Sequence, residues 1–245
     1  MESEEYRHLY ELEETLWWFQ GMRRITEALL ERFGSAEPGL RILDAGCGTG
    51  GMLSLLRQHG AVVGVDLFEE AIHFAKRREG AQLVRGSILE LPFTSDTFDL
   101  VTEFEVVNHW SIQNDQQAFN ELARVLRPGG ILLYREPAYP WLFAKHDRAV
   151  HTRHRYSADQ LARLLNAAGL EPLYQGHANC FLFPVALVRR LLGNLVPGNQ
   201  RSDVRQMPAP LNAALAWILS QEAKIIRHRR LPFGLSQIGV ARRSH

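Results

Sequence analysis

Leu43-Asp44-Ala45-Gly46-Cys47-Gly48-Thr49-Gly50 reads as the end of a buried strand running straight into a glycine-rich turn. Arg41-Ile42-Leu43 is the apolar lead-in, and Gly51-Met52-Leu53-Ser54-Leu55-Leu56 opens a helix whose first amides face the turn. Gly46, Gly48 and Gly50 let the backbone bend sharply and approach a ligand closely, the geometry of a nucleotide cradle. Twenty residues after Gly46, a second apolar strand, Ala61-Val62-Val63-Gly64-Val65, ends in Asp66, placed to accept hydrogen bonds from a ribose diol.

Gly46-x-Gly48-x-x-Gly51 also satisfies the dinucleotide pattern, so the glycines alone leave NAD and S-adenosylmethionine (SAM) open. Asp44 separates them. A pyrophosphate is repelled by a carboxylate on its own turn, whereas SAM carries an ammonium and a sulfonium and has no phosphate for the helix end. With these residues the chain resembles the class I SAM-dependent methyltransferases of the type 11 kind, from about Arg41 to Leu133. Asp44 and the glycines match their first motif and Asp66 the ribose acid. Phe98-Asp99-Leu100-Val101 and Arg127-Pro128-Gly129-Gly130 match the fourth strand and the turn before the fifth.

Periodicity places helices at about 3–16 and 22–33, then strand 41–45, helix 51–59, strand 61–65, helix 69–79, strands 82–85 and 98–103, helix 115–126 and strand 130–135. Ser157 opens a further helix that ends at Gly169, and strands follow at 170–174 and 235–241. The expected fold is α/β: a Rossmann-like, seven-stranded, mostly parallel sheet with helices on both faces. The family usually joins its last two strands with a hairpin, so the long stretch between them here is read as an insertion. The expected single domain has an N-terminal helical lid (1–36), a core (37–176 and 233–245) and an inserted helical cap (177–232).

The chain has 245 residues, 46% of them apolar, enough for one substantial core. It contains no apolar run of membrane-span length and no signal-peptide pattern, which gives a cytoplasmic expectation. Two cysteines, one of them in the glycine turn, give no disulfide framework. Residues 1–122 hold 10 Lys/Arg and 21 Asp/Glu and residues 123–245 hold 18 and 6, a split of −11 against +12. The two charges attract across the fold, or the basic half draws an anionic substrate or an acidic membrane surface. Scattered arginines without interleaved aromatics exclude a nucleic-acid partner, and a homodimer is left open.

Trp17-Trp18-Phe19 precedes Arg23-Arg24, and three consecutive aromatics cannot all face one helical core. Either they pack the helix onto the sheet, or some close over a ligand, with Trp18 beside the sulfonium and Arg23 on the SAM carboxylate. A similar aromatic-Arg segment occurs before the first strand in a subset of small-molecule and glycan-associated methyltransferases. By resemblance Leu67 lies on the adenine face, and Ser87, with Ile88, stands where the family often has an acid for the adenine amino group. Glu103 and Phe104 end the fourth strand beside the methyl donor.

A hydroxyl acceptor needs a base, and His109, His151 and His154 are the candidates, each also readable as a surface or packing histidine. Trp17, His109, Tyr139, His151, Arg155, Tyr156 and Phe181 are the expected acceptor contacts. His146, Asp147, His151 and His154 crowd within nine residues, but the spacing fits no zinc pattern and no metal is expected. Phe181 to Leu192 is apolar and then basic, either a cap helix or a membrane-surface helix for a lipid-linked acceptor. The resulting expectation is methyl transfer to a small molecule, with O-methylation of an aromatic or polyketide-like metabolite ahead of N- or C-methylation and of glycan or lipid-linked acceptors. An NAD(P)-dependent oxidoreductase and a non-catalytic SAM-binding protein are the readings from other classes.

Overall fold

A computed structural model describes residues 3–35, 39–78, 80–193 and 207–244, with the side chains at 189–193 left out. The lid boundary at 36/37, Glu79 at the end of an expected helix, part of the cap, and the side chains of Arg189, Arg190, Leu191 and Leu192 lie outside the described residues. In chain order the elements are α1 (Ser3–Leu12), α2 (Trp17–Phe33), β1 (Leu40–Ala45), α3 (Leu53–Leu56), β2 (Gly60–Asp66), α4 (Glu69–Ala75), β3 (Gln82–Arg85), β4 (Phe98–Phe104), α5 (Asp115–Val125), β5 (Leu126–Pro137), α6 (Lys145–Ala149), α7 (Ala158–Ala167), β6 (Leu170–Ala178), α8 (Phe183–Gly193), α9 (Ala209–Ile226) and β7 (Ser236–Arg243).

The strands form one seven-stranded sheet in the order β3-β2-β1-β4-β5-β7-β6. The first five run parallel, and β7 is antiparallel to both β5 and β6. This is the mostly parallel Rossmann-like sheet expected from the alternation of strands and helices. The order reverses at β1, between β2 and β4, where open α/β sheets bind ligands at the carboxyl ends of the strands.

Side chains alternate across each strand, so neighbouring apolar residues feed opposite layers. Ile42, Leu100, Leu133 and Val240 pack with Met22, Ile25, Leu219 and Ile226 of α2 and α9. Leu43, Val101 and Leu132 pack on the other face with Phe119 and Leu122 of α5 and Leu161 and Leu165 of α7. Ser157 caps α7 with a reciprocal box: its Oγ accepts from Gln160 N at 3.2 Å and its own N donates to Gln160 Oε1 at 2.8 Å. Such a cap contributes on the order of 1 kcal/mol.

Several elements differ from the periodicity: α1 ends at Leu12 and α4 at Ala75, short of the expected 16 and 79, while β5 (Leu126–Pro137) and β6 (Leu170–Ala178) run longer than expected. α2 starts at Trp17, five residues before the expected position, because Asn212 of α9 accepts a hydrogen bond from Trp17 N at 2.8 Å. α3 keeps only four residues, since the glycine turn occupies its start. Between β6 and β7 the chain inserts α8 and α9, and α9 packs against α2. Both cysteines are free thiols. Among the described residues no helix is long and apolar enough to cross a membrane.

Candidate active site

A cavity of about 580 Å³ opens at the carboxyl edge of the sheet. Its walls come from the α1–α2 junction, the turn after β1, the ends of β4 and β5, α6, and the two inserted helices.

The turn carries one end. Gly46 N and Cys47 N donate to Val65 O at 2.8 and 2.9 Å, which fastens the turn across the ends of β1 and β2. Gly46 has φ +83°, and a Cβ there would overlap the Val106 side chain, so only glycine fits. Asp44 lines the cavity and is buried; Thr102 Oγ1 donates to its Oδ1 at 2.7 Å. Burial pushes the Asp44 carboxyl up to about 6, although the Thr102 hydrogen bond and Arg135 act the other way. Asp66 accepts from Gly48 N and Phe68 N, both at 2.9 Å, so it braces the turn; two amides leave carboxylate lone pairs for a diol. Burial also raises the Asp66 carboxyl.

All three aromatics of the N-terminal run, Trp17, Trp18 and Phe19, line the cavity, and Trp18 and Phe19 meet edge to face at 4.9 Å. Arg23 lines it too, but its fork is taken: Nη1 and Nη2 donate to Glu14 at 2.9 and 3.0 Å and Nε to Gly51 O at 3.0 Å. Glu13, which the sequence reading did not single out, is folded down onto the glycine turn. Thr49 Oγ1 and Arg78 Nη2 donate to its Oε2 at 2.6 and 2.8 Å, and a Cβ on Gly51 would sit 2.6 Å from its carboxyl carbon. Burial pushes Glu13 up to about 7.

Of the other expected cofactor residues, Gly46, Gly48 and Phe104 line the cavity. Gly50 and Leu67 lie outside its lining, with Leu67 exposed. Ser87 Oγ accepts from Leu89 N at 3.1 Å and so closes its own turn, and Ile88 is a core residue packed with Val65 and Leu91. Glu103 points away from the cavity into a fully buried pair with Glu136. Its Oε1 accepts from Val106 N and Val107 N, and Glu136 Oε1 accepts from Asn108 N. Burial raises both carboxyls, and the neighbouring Glu103 raises Glu136 further.

None of the three candidate bases lines the cavity. His109 Nδ1 accepts from Ser111 N at 3.2 Å and lies 2.7 Å from Ser111 Oγ, and its ring meets Phe68 and His151. Burial and then His151 drive its imidazole down to about 4, a poor base at neutral pH. His151 faces Glu5 of α1 at 3.9 Å, and His154 faces Asp115 at 3.1 Å. Tyr156 Oη also donates to Asp115, and its ring stacks edge-on to His154. Tyr139 stacks on His177, and Phe181 is exposed. Arg155 does line the cavity, but its donors go to Asp147 and Ala138 O.

The cavity also brings together Arg135, Asn108 and Asn179, which no local signal marks, with Glu105, the strand-end acid that follows Phe104, and His146. Asn108 and Asn179 are each buried with an Oδ1 that meets no donor among the described residues. Asn179 has φ +60°, a left-handed conformation that asparagine tolerates better than most residues. His146 was visible in the sequence only as part of a rejected metal cluster, and among the described residues no group of metal ligands forms.

Residues 43–134 match the family model described as methyltransferase domain. A probable S-adenosylmethionine-dependent methyltransferase of Mycolicibacterium smegmatis is 32% identical over 165 residues, covering 65% of this chain and 62% of the relative. A fatty-acid O-methyltransferase of the same organism is 34% identical, covering 58% of this chain and 47% of the relative. The chain thus spans less than two thirds of the length of these curated relatives. Among solved structures, the [4+2]-cyclase SpnF superposes with a TM-score of 0.61 at 22% identity, covering 93% of this chain and 82% of that one, a likeness of fold alone.

Proposed function

We propose, for a chain that carries a domain of the class I SAM-dependent methyltransferases, that it transfers a methyl group to an oxygen of an apolar small molecule. One observation carries the cofactor half of this reading: a buried carboxylate, Asp44, faces the cavity beside a glycine turn, where it favours a cation and opposes a pyrophosphate. SAM, when bound, supplies a methyl carbon on a sulfonium that leaves as a neutral thioether.

The chain's own residues supply position and exclusion of water. Asp44 holds positive charge at the turn, Asp66, just outside the cavity lining, braces the turn and has lone pairs for a ribose, and the Trp17–Phe19 run walls the cavity. Aligning the acceptor contributes on the order of 7–11 kcal/mol to such a transfer. Leu182, Ala186, Met207 and Leu215 form an apolar wall that suits a hydrocarbon acceptor, in keeping with the fatty-acid O-methyltransferase among the relatives.

Parallel calorimetric titrations with S-adenosylhomocysteine (SAH), NAD+ and NADPH test the reading. SAH binding with no heat from either nicotinamide cofactor is expected. Tighter binding of a nicotinamide cofactor overturns it in favour of an oxidoreductase.

A further inference from the structure

The geometry points to Arg135 as the anchor for the acceptor's carboxylate, and so to an apolar carboxylic acid, methylated on a carboxylate oxygen, as the substrate class. This rests on the methyltransferase reading above and gives it an acceptor.

Arg135 lies on β5 in register with Phe104 of β4 and is 7% exposed. Its guanidinium lies over two aromatic rings, 5.0 Å from the Trp18 centroid and 4.8 Å from that of Phe104. Nε donates to Glu105 Oε1 at 3.2 Å, and no other acceptor meets the guanidinium among the described residues. A guanidinium has five N–H donors in a rigid fork, and the two Nη groups are left to find an acceptor in the cavity that Arg135 lines. A buried cation with spare donors is costly unless a ligand completes it, and a carboxylate matches that fork with two parallel hydrogen bonds.

The sheet order assigns this anion to the acceptor and not to the cofactor. Asp66, Asp44, Phe104 and Arg135 sit at the ends of β2, β1, β4 and β5, which are successive neighbours. At about 4.8 Å per strand, Arg135 lies roughly 10 Å beyond Asp44 on the side away from the ribose acid. The apolar wall of Leu182, Ala186, Met207 and Leu215 gives the rest of an amphiphilic acid its place.

The chemistry fits the placement of the three candidate bases, while His146 lines the cavity. A carboxylate oxygen lone pair forms the new O–CH3 bond as the S–CH3 bond breaks and its electron pair stays on sulfur. No proton moves, so no base is required, and His109, His151 and His154 lie outside the cavity lining.

Decanoate and decan-1-ol, titrated by calorimetry into SAH-saturated protein, test this in wild type, Arg135→Met and Arg135→Lys. Wild type is expected to prefer decanoate by about 10- to 100-fold, the size of a charge-assisted fork. Arg135→Met should reduce that preference to within about 3-fold and Arg135→Lys should keep part of it, since a charge-assisted hydrogen bond survives without the fork. SAH affinity should stay within about 3-fold in both, because charge-assisted bonds to the cofactor are not removed. With SAM in place of SAH, methyl decanoate should appear by mass spectrometry. Equal binding of acid and alcohol by wild type, binding of neither, or an acid preference that survives Arg135→Met overturns the proposal. So does a tenfold or greater loss of SAH affinity in Arg135→Met, which would put Arg135 on the cofactor. Arg135→Lys and the wild-type comparison keep the test intact if Arg135→Met does not fold. Failure of SAH to bind wild type is read separately, and it removes the methyltransferase reading and the acceptor assignment together.

Discussion

The two ends of the cavity are assembled in opposite ways. At the β1 and β2 end, the acid and the turn lie within Asp44–Gly50, and Asp66 follows one helix and one strand later. Much of that end is backbone: amides of Gly46 and Cys47 on Val65 O, and amides of Gly48 and Phe68 on Asp66. At the β5 end, Arg135 from one strand meets Glu105 from the end of another and Trp18 from a helix more than a hundred residues earlier, while α8 and α9 close the wall. A subsite made of backbone needs glycines at fixed spacing and leaves a motif. A subsite made of distant side chains leaves none.

If that contrast is right, the two ends fail independently. The largest effect is expected at Asp44. Asp44→Asn removes the one buried charge of β1 that faces the cavity, and SAM affinity should fall by about 100-fold, consistent with a charge pair at an effective dielectric near 20. The decanoate preference of the same variant should not fall, because Arg135 loses only the competing attraction of the Asp44 charge. Calorimetry on both ligands checks this, and a parallel loss of acid preference would break the separation of the two ends.

Asp66→Ala comes next, at about 10- to 100-fold on SAH, since hydrogen bonds to a charged group contribute about 1.5–3 kcal/mol each. It also frees Gly48 N and Phe68 N, so the turn should exchange its amide hydrogens faster. Unchanged SAH affinity in a folded variant would leave Asp66 as a brace alone.

A smaller, pH-dependent effect separates the ends further. Burial holds the Asp44 carboxyl near 6, and the charged form is the one that favours a sulfonium and an ammonium. SAM affinity should therefore tighten by about tenfold as pH rises from 5 to 7, and Asp44→Asn should flatten that dependence. Stability runs the other way. The folded carboxyl keeps its proton to about 6 while the unfolded one loses it near 3.8, so Asp44 costs stability progressively as pH rises between those values. The melting temperature of Asp44→Asn should rise relative to wild type from pH 4 to pH 6.5, and a constant difference would place the Asp44 proton elsewhere.

The mostly parallel sheet and the glycine turn after β1 were legible because hydrophobic alternation and glycine spacing are local signals. The Trp17-Trp18-Phe19 run was legible as an oddity, since three bulky aromatics exceed what one helix face can bury, and all three do line the cavity. The contacts of Arg23 carried no local signal, because its partner Glu14 and the Gly51 carbonyl come to it only in the fold. Arg135 and Asn179 drew no reading, since the residues around them come from distant segments, and Asn212, which accepts from Trp17 N at the start of α2, lies 195 residues downstream. Histidines were read as candidate bases because a hydroxyl acceptor was assumed, and that assumption asks for a base.

The smallest effects are expected at the histidines, and they decide whether the acceptor end contains a base at all. His109 is held near pKa 4 with Nδ1 committed to Ser111, so His109→Gln should change decanoate methylation by less than about 3-fold, where a working general base costs 10² to 10⁴. His146 is the sharper case, because it does line the cavity. If a carboxylate is the nucleophile, His146→Gln should also stay within about 3-fold, and its pH–rate profile should keep the same limbs as wild type. A 10²-fold or greater loss of turnover at unchanged SAH affinity, with the limb near the imidazole range gone, would make His146 a base. The acceptor would then be a hydroxyl, and Arg135 would be left holding some other part of it. Histidine substitution and the acid-against-alcohol titration thus approach the same end of the cavity from its nucleophile and from its anchor. Only a carboxylate acceptor predicts a small effect in the first and a large one in the second.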